Sequence, residues 1–195
     1  MESFYAVLLG YALGSIPFGL ILTRMFGAGD LRAIGSGSIG ATNVLRTGRK
    51  GLALGTLLLD AAKGAVAVWL TAQWWPLVAP IAAFGAIVGH CFPVWLRFKG
   101  GKGVATALGI ALALAWPVAL VCVLVWLVVF AVSRISSLGG ITATVAGPLA
   151  AWALNYPELI LALSGIATVV VWRHRANIVR LRTGTEPRVG QKAKG

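Results

Sequence analysis

The chain has 195 residues, of which 58% are hydrophobic and only 11% are charged, and its mean hydropathy is +0.87. These values exclude an ordinary soluble domain and are typical of a protein that crosses a membrane several times. The net charge of +12 does not indicate nucleic acid, because the basic residues are scattered between apolar segments, where anionic lipid and phosphate ligands explain them better.

Several membrane-spanning helices of about 20 residues each leave little of this chain for a separate soluble domain. We therefore predict a single membrane-embedded domain over residues 1–195. The two cysteines, Cys91 and Cys122, lie in apolar surroundings and have neither the pattern of a disulfide framework nor metal-ligand spacing. The N-terminus carries Glu2 and no basic region, which argues against a cleaved signal peptide.

Seven apolar segments follow one another along the chain, and several are short enough to suggest a tilted or incomplete crossing. They cover residues 4–22, 52–74, 81–96, 104–115, 118–132, 141–154 and 159–172. Pro17 lies near the end of the first segment and should kink it. The pattern predicts an all-α integral membrane fold with about seven transmembrane helices.

The positive charges predict the orientation. If residues 23–50 lie on one side of the membrane and the segments alternate, then residues 97–103, residues 133–140 and the tail 173–195 fall on that same side. This side then holds sixteen of the seventeen Lys and Arg residues, and the remaining one, Lys63, lies inside a segment. The positive-inside rule makes this side cytoplasmic, with the N-terminus outside and the C-terminus in the cytoplasm. The three loops and the tail could then converge.

Residues 35–46 are small, polar and glycine-rich, with the sequence Gly-Ser-Gly-Ser-Ile-Gly-Ala-Thr-Asn-Val-Leu-Arg. Glycines let backbone N–H groups approach an anion, and a helix N-terminus just after them adds positive potential. Arg46 adds a guanidinium that can bind a phosphate through two hydrogen bonds. We interpret this stretch as a phosphate-binding loop, and the alternative is a flexible Gly/Ser connector.

Two further stretches contain the same kinds of residues. Residues 99–103, Lys-Gly-Gly-Lys-Gly, form a second candidate anion site, although they lack the spacing and the preceding strand of a nucleotide P-loop. The alternative is that Lys99 and Lys102 are membrane anchors that reach lipid phosphates. In the basic tail, His174 and Asn177 would share one helix face, and histidine can move protons near neutral pH. The alternative there is a basic interfacial helix with a bystander histidine.

Asp60 and Lys63 lie well inside the second apolar segment and, at positions i and i+3, share a helix face. A charge at mid-bilayer costs about 2.5–3.5 kcal/mol on insertion scales, so such residues normally face a polar interior. A role in a binding site and a role as an ion pair that only fixes helix packing are equally consistent with this spacing.

Together these stretches resemble the bacterial acyl-phosphate:glycerol-3-phosphate acyltransferase family of small integral membrane enzymes. The matching pieces run in order through the chain and cover residues 14–19, 35–46, 60–64, 89–93, 98–106, 136–138, 173–181 and 184–186. Two positions depart from the family pattern: Ser38 stands where Asn is more frequent, and Arg175 follows His174 in place of a small residue.

The resemblance implies transfer of an acyl group from acyl phosphate to the 1-hydroxyl of sn-glycerol 3-phosphate, which gives lysophosphatidic acid and phosphate in the first step of phospholipid synthesis. It implies a multi-pass protein of the bacterial plasma (inner) membrane whose active site faces the cytoplasm. The expected partners are acyl phosphate, glycerol 3-phosphate and membrane lipid, without nucleic acid, cofactor or metal. Acyl phosphate is a mixed anhydride with a good leaving group, so positioning and charge neutralisation suffice and no enzyme nucleophile is required.

Residue types and the resemblance together assign roles. Ser36, Arg46 and Lys102 would bind phosphate, and His174 would orient the glycerol hydroxyl or its phosphate. His174 is a candidate base, but a substrate phosphate could take the proton instead. The other expected substrate-binding residues are Gly37, Ser38, Gly40, Thr42, Asn43, Asp60, Lys63, Lys99, Gly101, Ser137 and Asn177, with backbone N–H groups near Gly37, Gly40 and Gly101 holding acyl-phosphate oxygens.

The sequence leaves two other classes of function open. Basic loops and intramembrane charges would also suit a carrier or channel for phosphate or a sugar phosphate, although the sequence has no internal duplication of the kind carriers often show. A structural membrane scaffold would leave the repeated Gly/Ser/basic loops unexplained. The His-x-x-x-x-Asp motif of other glycerolipid acyltransferases is absent, because Trp95 and Val179 stand five residues after His90 and His174.

Overall fold

The computed structural model describes residues 1–190, and within that range all regular secondary structure is helical. The helices are α1 Glu2–Gly14, α2 Phe18–Met25, α3 Ala41–Leu45, α4 Lys50–Trp74, α5 Ala79–Cys91, α6 Val104–Leu114, α7 Trp116–Ser133, α8 Ser136–Ala153, α9 Pro157–Arg173 and α10 Arg175–Arg182. Short 3-10 turns cover Leu31–Ala33, Pro76–Val78 and Val94–Leu96. The last five residues of the predicted tail, including Lys192 and Lys194, lie outside the described residues.

Each of the seven predicted apolar segments is mainly helical, and the first is divided between α1 and α2, so the all-α prediction is confirmed. By length and hydropathy, four helical stretches of residues 1–190 could cross a membrane, and a fifth is formed if α9 and α10, bent by 62°, count as one crossing. The four are Glu2–Met25, Lys50–Trp74, Pro76–Leu96 and Trp116–Ser133. With 11 residues, α6 is only about 16 Å long, roughly half the apolar thickness of a bilayer. The number of seven crossings stays a prediction.

The helices break where the sequence removes backbone donors or permits unusual dihedral angles. Pro17 separates α1 from α2, as predicted, and the carbonyl oxygen of Ile16 at this break accepts a hydrogen bond from Nζ of Lys63 at 2.7 Å. Between α8 and α9, Asn155 has φ +62°, and Pro157 then occupies the first position of α9, where its missing N–H costs nothing.

Small residues let several helices approach until their backbones touch. A side chain at Gly14 of α1 would overlap the carbonyl oxygen of Ala86 on α5, and one at Gly109 of α6 would overlap the carbonyl oxygen of Ala61 on α4. Without a hydrophobic force between helices in lipid, this close packing is a main source of attraction. The α1–α5 and α4–α6 pairs therefore form the tightly packed scaffold of the molecule.

Many large apolar side chains point outward, while alanines make up much of the buried centre. Leu149, Trp152 and Leu161 are between 64% and 85% exposed, whereas Ala83, Ala86 and the other buried residues between α4 and α9 form the core. This distribution is the reverse of that in a soluble protein and is the one expected for helices that face lipid.

The predicted Gly/Ser/basic loops and the described part of the tail meet at one end of the helix bundle. The hydroxyl oxygens of Thr42 and Ser136 are 3.0 Å apart, although 94 positions separate them in the chain. The backbone N–H of Val189 donates to the carbonyl oxygen of Arg134 at 2.8 Å, so the tail crosses the α7–α8 turn. The convergence expected from the charge distribution is therefore present in the tertiary structure.

Candidate active site

A cavity of about 1180 Å³ opens at the end where the loops meet. Polar and basic side chains from the converging loops line its mouth, and most of the side chains that the helices contribute to it are apolar. The polar lining includes Ser36, Ser38, Thr42, Asn43, Arg46, Asp60, Lys102, Ser136, Ser137, His174, Asn177 and Glu186, and the apolar lining includes Leu57, Leu108, Ala111, Cys122, Trp126, Leu127, Leu163 and Ile166. One space of this shape can hold a ligand with an anionic head and a hydrocarbon chain.

The first wall of the mouth is the loop before α3, which the side chain of Asn43 holds in shape. The Asn43 amide nitrogen donates to the carbonyl oxygens of Leu31, Ile34 and Ser38 at 2.8–3.0 Å, and its amide oxygen accepts from the backbone N–H of Ser36 at 3.2 Å. Because these bonds use the donors and the acceptor of this 97%-buried amide, Asn43 organises the loop and has no free donor for a substrate. Direct binding of substrate by Asn43 stays a prediction, and only its amide oxygen could accept a further hydrogen bond.

The second wall is the turn before α6, which folds back over the end of α5. The backbone N–H groups of Gly100 and Gly101 donate to the carbonyl oxygens of Cys91 and His90 at 3.2 and 3.0 Å. Arg173 donates from Nη2 and Nε to the carbonyl oxygens of the same two glycines at 2.8 and 2.9 Å. A side chain at Gly101 would overlap the imidazole of His90, so only glycine fits there. This clamp presents the next residue, Lys102, to the cavity.

Two of the three backbone N–H groups that were expected to bind an anion already donate hydrogen bonds to carbonyl oxygens of the protein. The N–H of Gly101 donates to His90, and the N–H of Gly37 donates to the carbonyl oxygen of Ile34 at 3.0 Å. Their backbone donors stabilise the loops themselves, which the sequence pattern alone did not indicate. Gly40, the third, lines the large cavity and precedes α3 as its N-terminal cap.

The third wall is the tail, which is ordered by the carboxylate of Glu186. One oxygen, Oε1, accepts from the hydroxyl of Ser137 at 2.6 Å and from the amide of Asn177 at 2.5 Å, and the other, Oε2, accepts from Nε of Arg180 at 2.6 Å. Burial raises the pKa of Glu186, but these three hydrogen bonds outweigh it and lower the pKa below its ordinary value. Glu186 is therefore an ionised carboxylate that joins α8 to α10.

His174 occupies the junction between α9 and α10 and is 98% buried. The helix bends there by 62°, so His174 and Asn177 do not share one continuous helix face, as their spacing predicts, but both line the cavity. Nδ1 lies 2.8 Å from the carbonyl oxygen of Val170, and because a carbonyl only accepts, Nδ1 carries the proton. The neutral ring then keeps its lone pair on Nε2.

Lys102 and Arg46 provide positive charge at the mouth of the cavity, and Ser36 lies beside them in its lining. Burial lowers the pKa of the Lys102 ammonium to about 8; Glu186 opposes this shift, whereas Arg180, Arg46 and Arg173 add to it. An anion bound here would relieve the repulsion among these cations, so the mouth favours a negatively charged ligand.

A smaller cavity of about 340 Å³ adjoins the mouth and is lined by five cationic side chains. These are Lys99, Lys102, Arg173, Arg175 and Arg180. It shares Ser36, Ser38, Lys102 and Asn177 with the large cavity. Lys99 and Gly37, both expected in a binding site, line this smaller cavity and not the larger one.

Asp60 and Lys63 form a buried ion pair with the carboxylate oxygen and the ammonium 2.7 Å apart. Asp60 and His90, whose Nδ1 lies 3.7 Å from that oxygen, line the large cavity. Lys63 does not line either cavity and instead stabilises the break between α1 and α2 through Ile16. Of the two roles that the sequence left open, helix packing is seen for Lys63, and a role of Asp60 in a binding site stays a prediction that its place in the cavity lining supports.

Three residues that organise the mouth were not among the predicted site residues. Glu186 and Arg173 bond to loops far away in the chain, and Ser136 contacts Thr42. The sequence did contain indications of their importance. All three lie in the stretches that carry the family resemblance, and Glu186 is one of only five acidic residues in the chain. Within residues 1–190 no three His, Cys, Asp or Glu side chains are grouped as metal ligands would be.

Comparisons with known proteins agree on one family. The family model described as glycerol-3-phosphate acyltransferase matches residues 4–184. Glycerol-3-phosphate acyltransferases from Erythrobacter litoralis and Paramagnetospirillum magneticum are both 57% identical to this chain; the first alignment covers 96% of this chain and 95% of the relative, and the second 100% and 97%.

Two crystal structures of PlsY (YgiH), an integral membrane glycerol 3-phosphate acyltransferase, have the same fold. The glycerol 3-phosphate form has a TM-score of 0.92 and 39% sequence identity, and the lysophosphatidic acid form has a TM-score of 0.90 and 38% identity. Each alignment covers 97% of this chain and 96% of the PlsY chain.

Proposed function

The chain belongs to the glycerol-3-phosphate acyltransferase family, and from this premise we propose that its two adjoining cavities carry out that reaction with an acyl phosphate as the donor. The enzyme is an integral membrane acyltransferase that acts on glycerol 3-phosphate. It esterifies the 1-hydroxyl and produces lysophosphatidic acid. The observation that carries the proposal is that the two cavities share Ser36, Ser38, Lys102 and Asn177, so two anionic reactants would meet there.

The large cavity suits the acyl phosphate. Its apolar part would hold the acyl chain, and Arg46, Lys102 and Ser36 at its mouth would bind the phosphate. Leu57 and Leu127 line this cavity and are 40% and 49% exposed, so the chain could enter between α4 and α7 from the lipid. The deeper walls exclude water from the mixed anhydride, which limits its hydrolysis.

The small cavity suits glycerol 3-phosphate. Its lining carries Lys99, Arg175 and Arg180 in addition to the shared Lys102, and a small polar substrate needs several charge-assisted hydrogen bonds of about 1.5–3 kcal/mol each to be held against water. Asn177 and His174 at the boundary would orient the 1-hydroxyl towards the acyl carbon. Proximity and orientation would then supply much of the rate enhancement.

In the proposed reaction, the 1-hydroxyl oxygen attacks the acyl carbon and the bond from that carbon to the phosphate oxygen breaks. Lys102, Arg46 and Ser36 neutralise the charge that develops on the departing phosphate. The hydroxyl proton passes to the departing phosphate or to Nε2 of His174. The His174→Ala variant separates these two routes, because loss of a base lowers kcat more than it raises KM.

The proposal includes an orientation: the cavity mouth faces the cytoplasm at the bacterial plasma membrane, with the N-terminus outside. The support is the clustering of basic loops and tail at the cavity end of the bundle. Residues 1–195 would act as one membrane domain, with the loops 23–50, 97–103 and 133–140 and the tail 173–195 around the mouth. The described loops lie at the polar surface, where both phosphates would be accessible.

The test uses purified protein in detergent or liposomes with an acyl phosphate and glycerol 3-phosphate. Phosphate release that requires both substrates and yields lysophosphatidic acid is the expected result, and Arg46→Ala and Lys102→Ala should each lower turnover by at least tenfold. Arg49→Ala, on a residue that lines neither cavity, is the matched control. Exchange of labelled glycerol 3-phosphate across liposomes without acyl transfer would contradict the proposal in favour of a carrier.

A further inference from the structure

The apolar part of the large cavity ends at a defined level inside the helix bundle. Ala111 of α6, Cys122 of α7 and Leu163 of α9 line it. Four residues further from the mouth, the corresponding positions are Ala115, Val118 and Leu159, which belong to the same packed core as Leu163. None of these three lines the cavity.

Three separate helices therefore close the cavity within one helical turn. Four residues along a helix face correspond to about 6 Å, and over that distance each of the three segments stops lining the cavity. Along α9 and its C-terminal cap, the eleven residue steps from Leu163 to His174 correspond to about 16 Å, which is the distance from the mouth to this floor on that wall. Below this level Ala115, Val118 and Leu159 pack in the core, and core packing leaves few spaces larger than a water molecule.

We propose that Ala111, Cys122 and Leu163 form the floor of the acyl-chain cavity and set the chain length that the enzyme prefers. This inference rests on the proposed function, since it assumes that the acyl phosphate lies with its chain in the large cavity. A chain that reaches the floor gains burial with each added methylene, and a longer chain has to bend or leave between the helices. The floor thus discriminates between donors that have identical head groups.

The size of the effect follows from hydrocarbon burial. One methylene moved from water into an apolar site changes an equilibrium about fourfold, so each methylene excluded by a raised floor should lower kcat/KM for a long donor by about that factor. The mouth residues contact only the head group, so a change at the floor should alter the ratio between long and short donors.

The experiment measures kcat/KM for saturated acyl phosphates of increasing chain length with three variants. Ala111→Leu raises the floor, Leu163→Ala deepens it, and Ala113→Leu is the matched control, because Ala113 lies on the same helix but is exposed and does not line the cavity. We expect Ala111→Leu to lower the long-to-short ratio by at least tenfold, Leu163→Ala to raise it, and Ala113→Leu to leave it unchanged.

A long-to-short ratio that is the same in Ala111→Leu, in Leu163→Ala and in the control would overturn the inference and would indicate that the chain leaves through the gap lined by Leu57 and Leu127. Because the two floor variants change the ratio in opposite directions, a folding defect in one of them leaves the other as a test. If the unaltered protein transferred no acyl group from any donor, the proposed function itself would be contradicted. That result differs from an unchanged long-to-short ratio, which would contradict only the role of the floor.

Discussion

Lys102 shows how the surroundings of one side chain set its chemistry. The clamp formed by Arg173 and the carbonyl groups of Gly100 and Gly101 places Lys102 in the lining of both cavities. Burial lowers its pKa to about 8. The ammonium form, which would bind phosphate, therefore predominates below this pH and is lost above it.

A pH profile tests this residue. Because kcat/KM reports groups of the free enzyme, kcat/KM for glycerol 3-phosphate should fall by about tenfold per pH unit above pH 8. In Lys102→Arg the guanidinium stays protonated, so the alkaline decrease should disappear even if the maximum is lower. Lys50→Arg, at an exposed position on α4, is the control and should keep the decrease. An unchanged alkaline limb in Lys102→Arg would rule out Lys102 as its origin.

The structure also predicts how a substitution of Glu186 should change stability and substrate binding. Glu186→Gln keeps the shape of the side chain but removes the charge that pairs with Arg180, and hydrogen bonds to charged groups contribute about 1.5–3 kcal/mol each. We expect a lower thermal unfolding temperature and a higher KM for glycerol 3-phosphate. Glu158→Gln, on an exposed residue at the start of α9, should change neither. Equal unfolding temperatures for the two variants would show that the carboxylate does not hold the tail.

At the scale of the helices, stability depends on how closely the backbones approach. The α4–α6 pair is in contact at Gly109, where the α-hydrogens of glycine face the carbonyl oxygen of Ala61. This contact also sets the position of α6, which begins just after Lys102 and forms one wall of the cavity. The packing of a short helix therefore determines where a cation of the site lies.

Gly109→Ala tests this contact. The added methyl group overlaps backbone atoms that have no side-chain freedom, so we expect a loss of about 1–3 kcal/mol in unfolding free energy. Gly51→Ala on α4 is the matched control, because no atom lies within 4 Å of the place that its methyl group would take, and alanine should stabilise the helix there by up to about 1 kcal/mol. Thermal unfolding in detergent measures both. A similar change in the two variants would contradict the close packing of α4 on α6.

At the scale of the whole molecule, the distribution of charge and the position of the cavity agree. The basic loops surround the cavity mouth, and the opposite end carries the acidic Glu2 and Glu158. Tyr5 and Trp75 stack at that opposite end with their ring centroids 6.1 Å apart, as aromatic residues at a membrane interface often do. The whole chain thus has one basic polar face and one nearly neutral face.

Cysteine labelling tests the predicted orientation and the number of crossings. In a chain with Cys91→Ala and Cys122→Ala, a membrane-impermeant maleimide should label Arg49→Cys from the cytoplasmic side and Trp116→Cys and Glu158→Cys from the outside. Labelling of Trp116→Cys is informative because α6 is too short to cross unless the bilayer or the helix adapts. Right-side-out and inverted vesicles distinguish the two sides. Labelling of Arg49→Cys and Trp116→Cys from the same side would contradict seven crossings.

The helical membrane architecture, the convergence of the basic loops and the family could all be predicted from the amino-acid sequence. Long apolar stretches have to form helices in lipid because every backbone group needs an internal partner, and this requirement is local to each stretch. The breaks at Pro17 and Pro157 follow equally local rules. Predicting on which side of the membrane the Lys and Arg residues lie also requires only the order of the segments along the chain. These features could therefore be predicted without knowing how far apart remote residues lie in the folded protein.

The role of each polar group at the mouth, in contrast, depends on contacts between residues that are far apart in the chain. Glu186 joins Ser137 over 49 positions of the chain, Arg173 clamps Gly101 over 72, and Asn43 uses its amide inside its own loop. Sequence patterns indicate which donors and acceptors exist, but whether a donor is free for a substrate depends on which remote group lies within about 3 Å of it. The same holds for the pKa of Lys102 and for the floor at Ala111, because burial and cavity shape arise only when distant helices pack together.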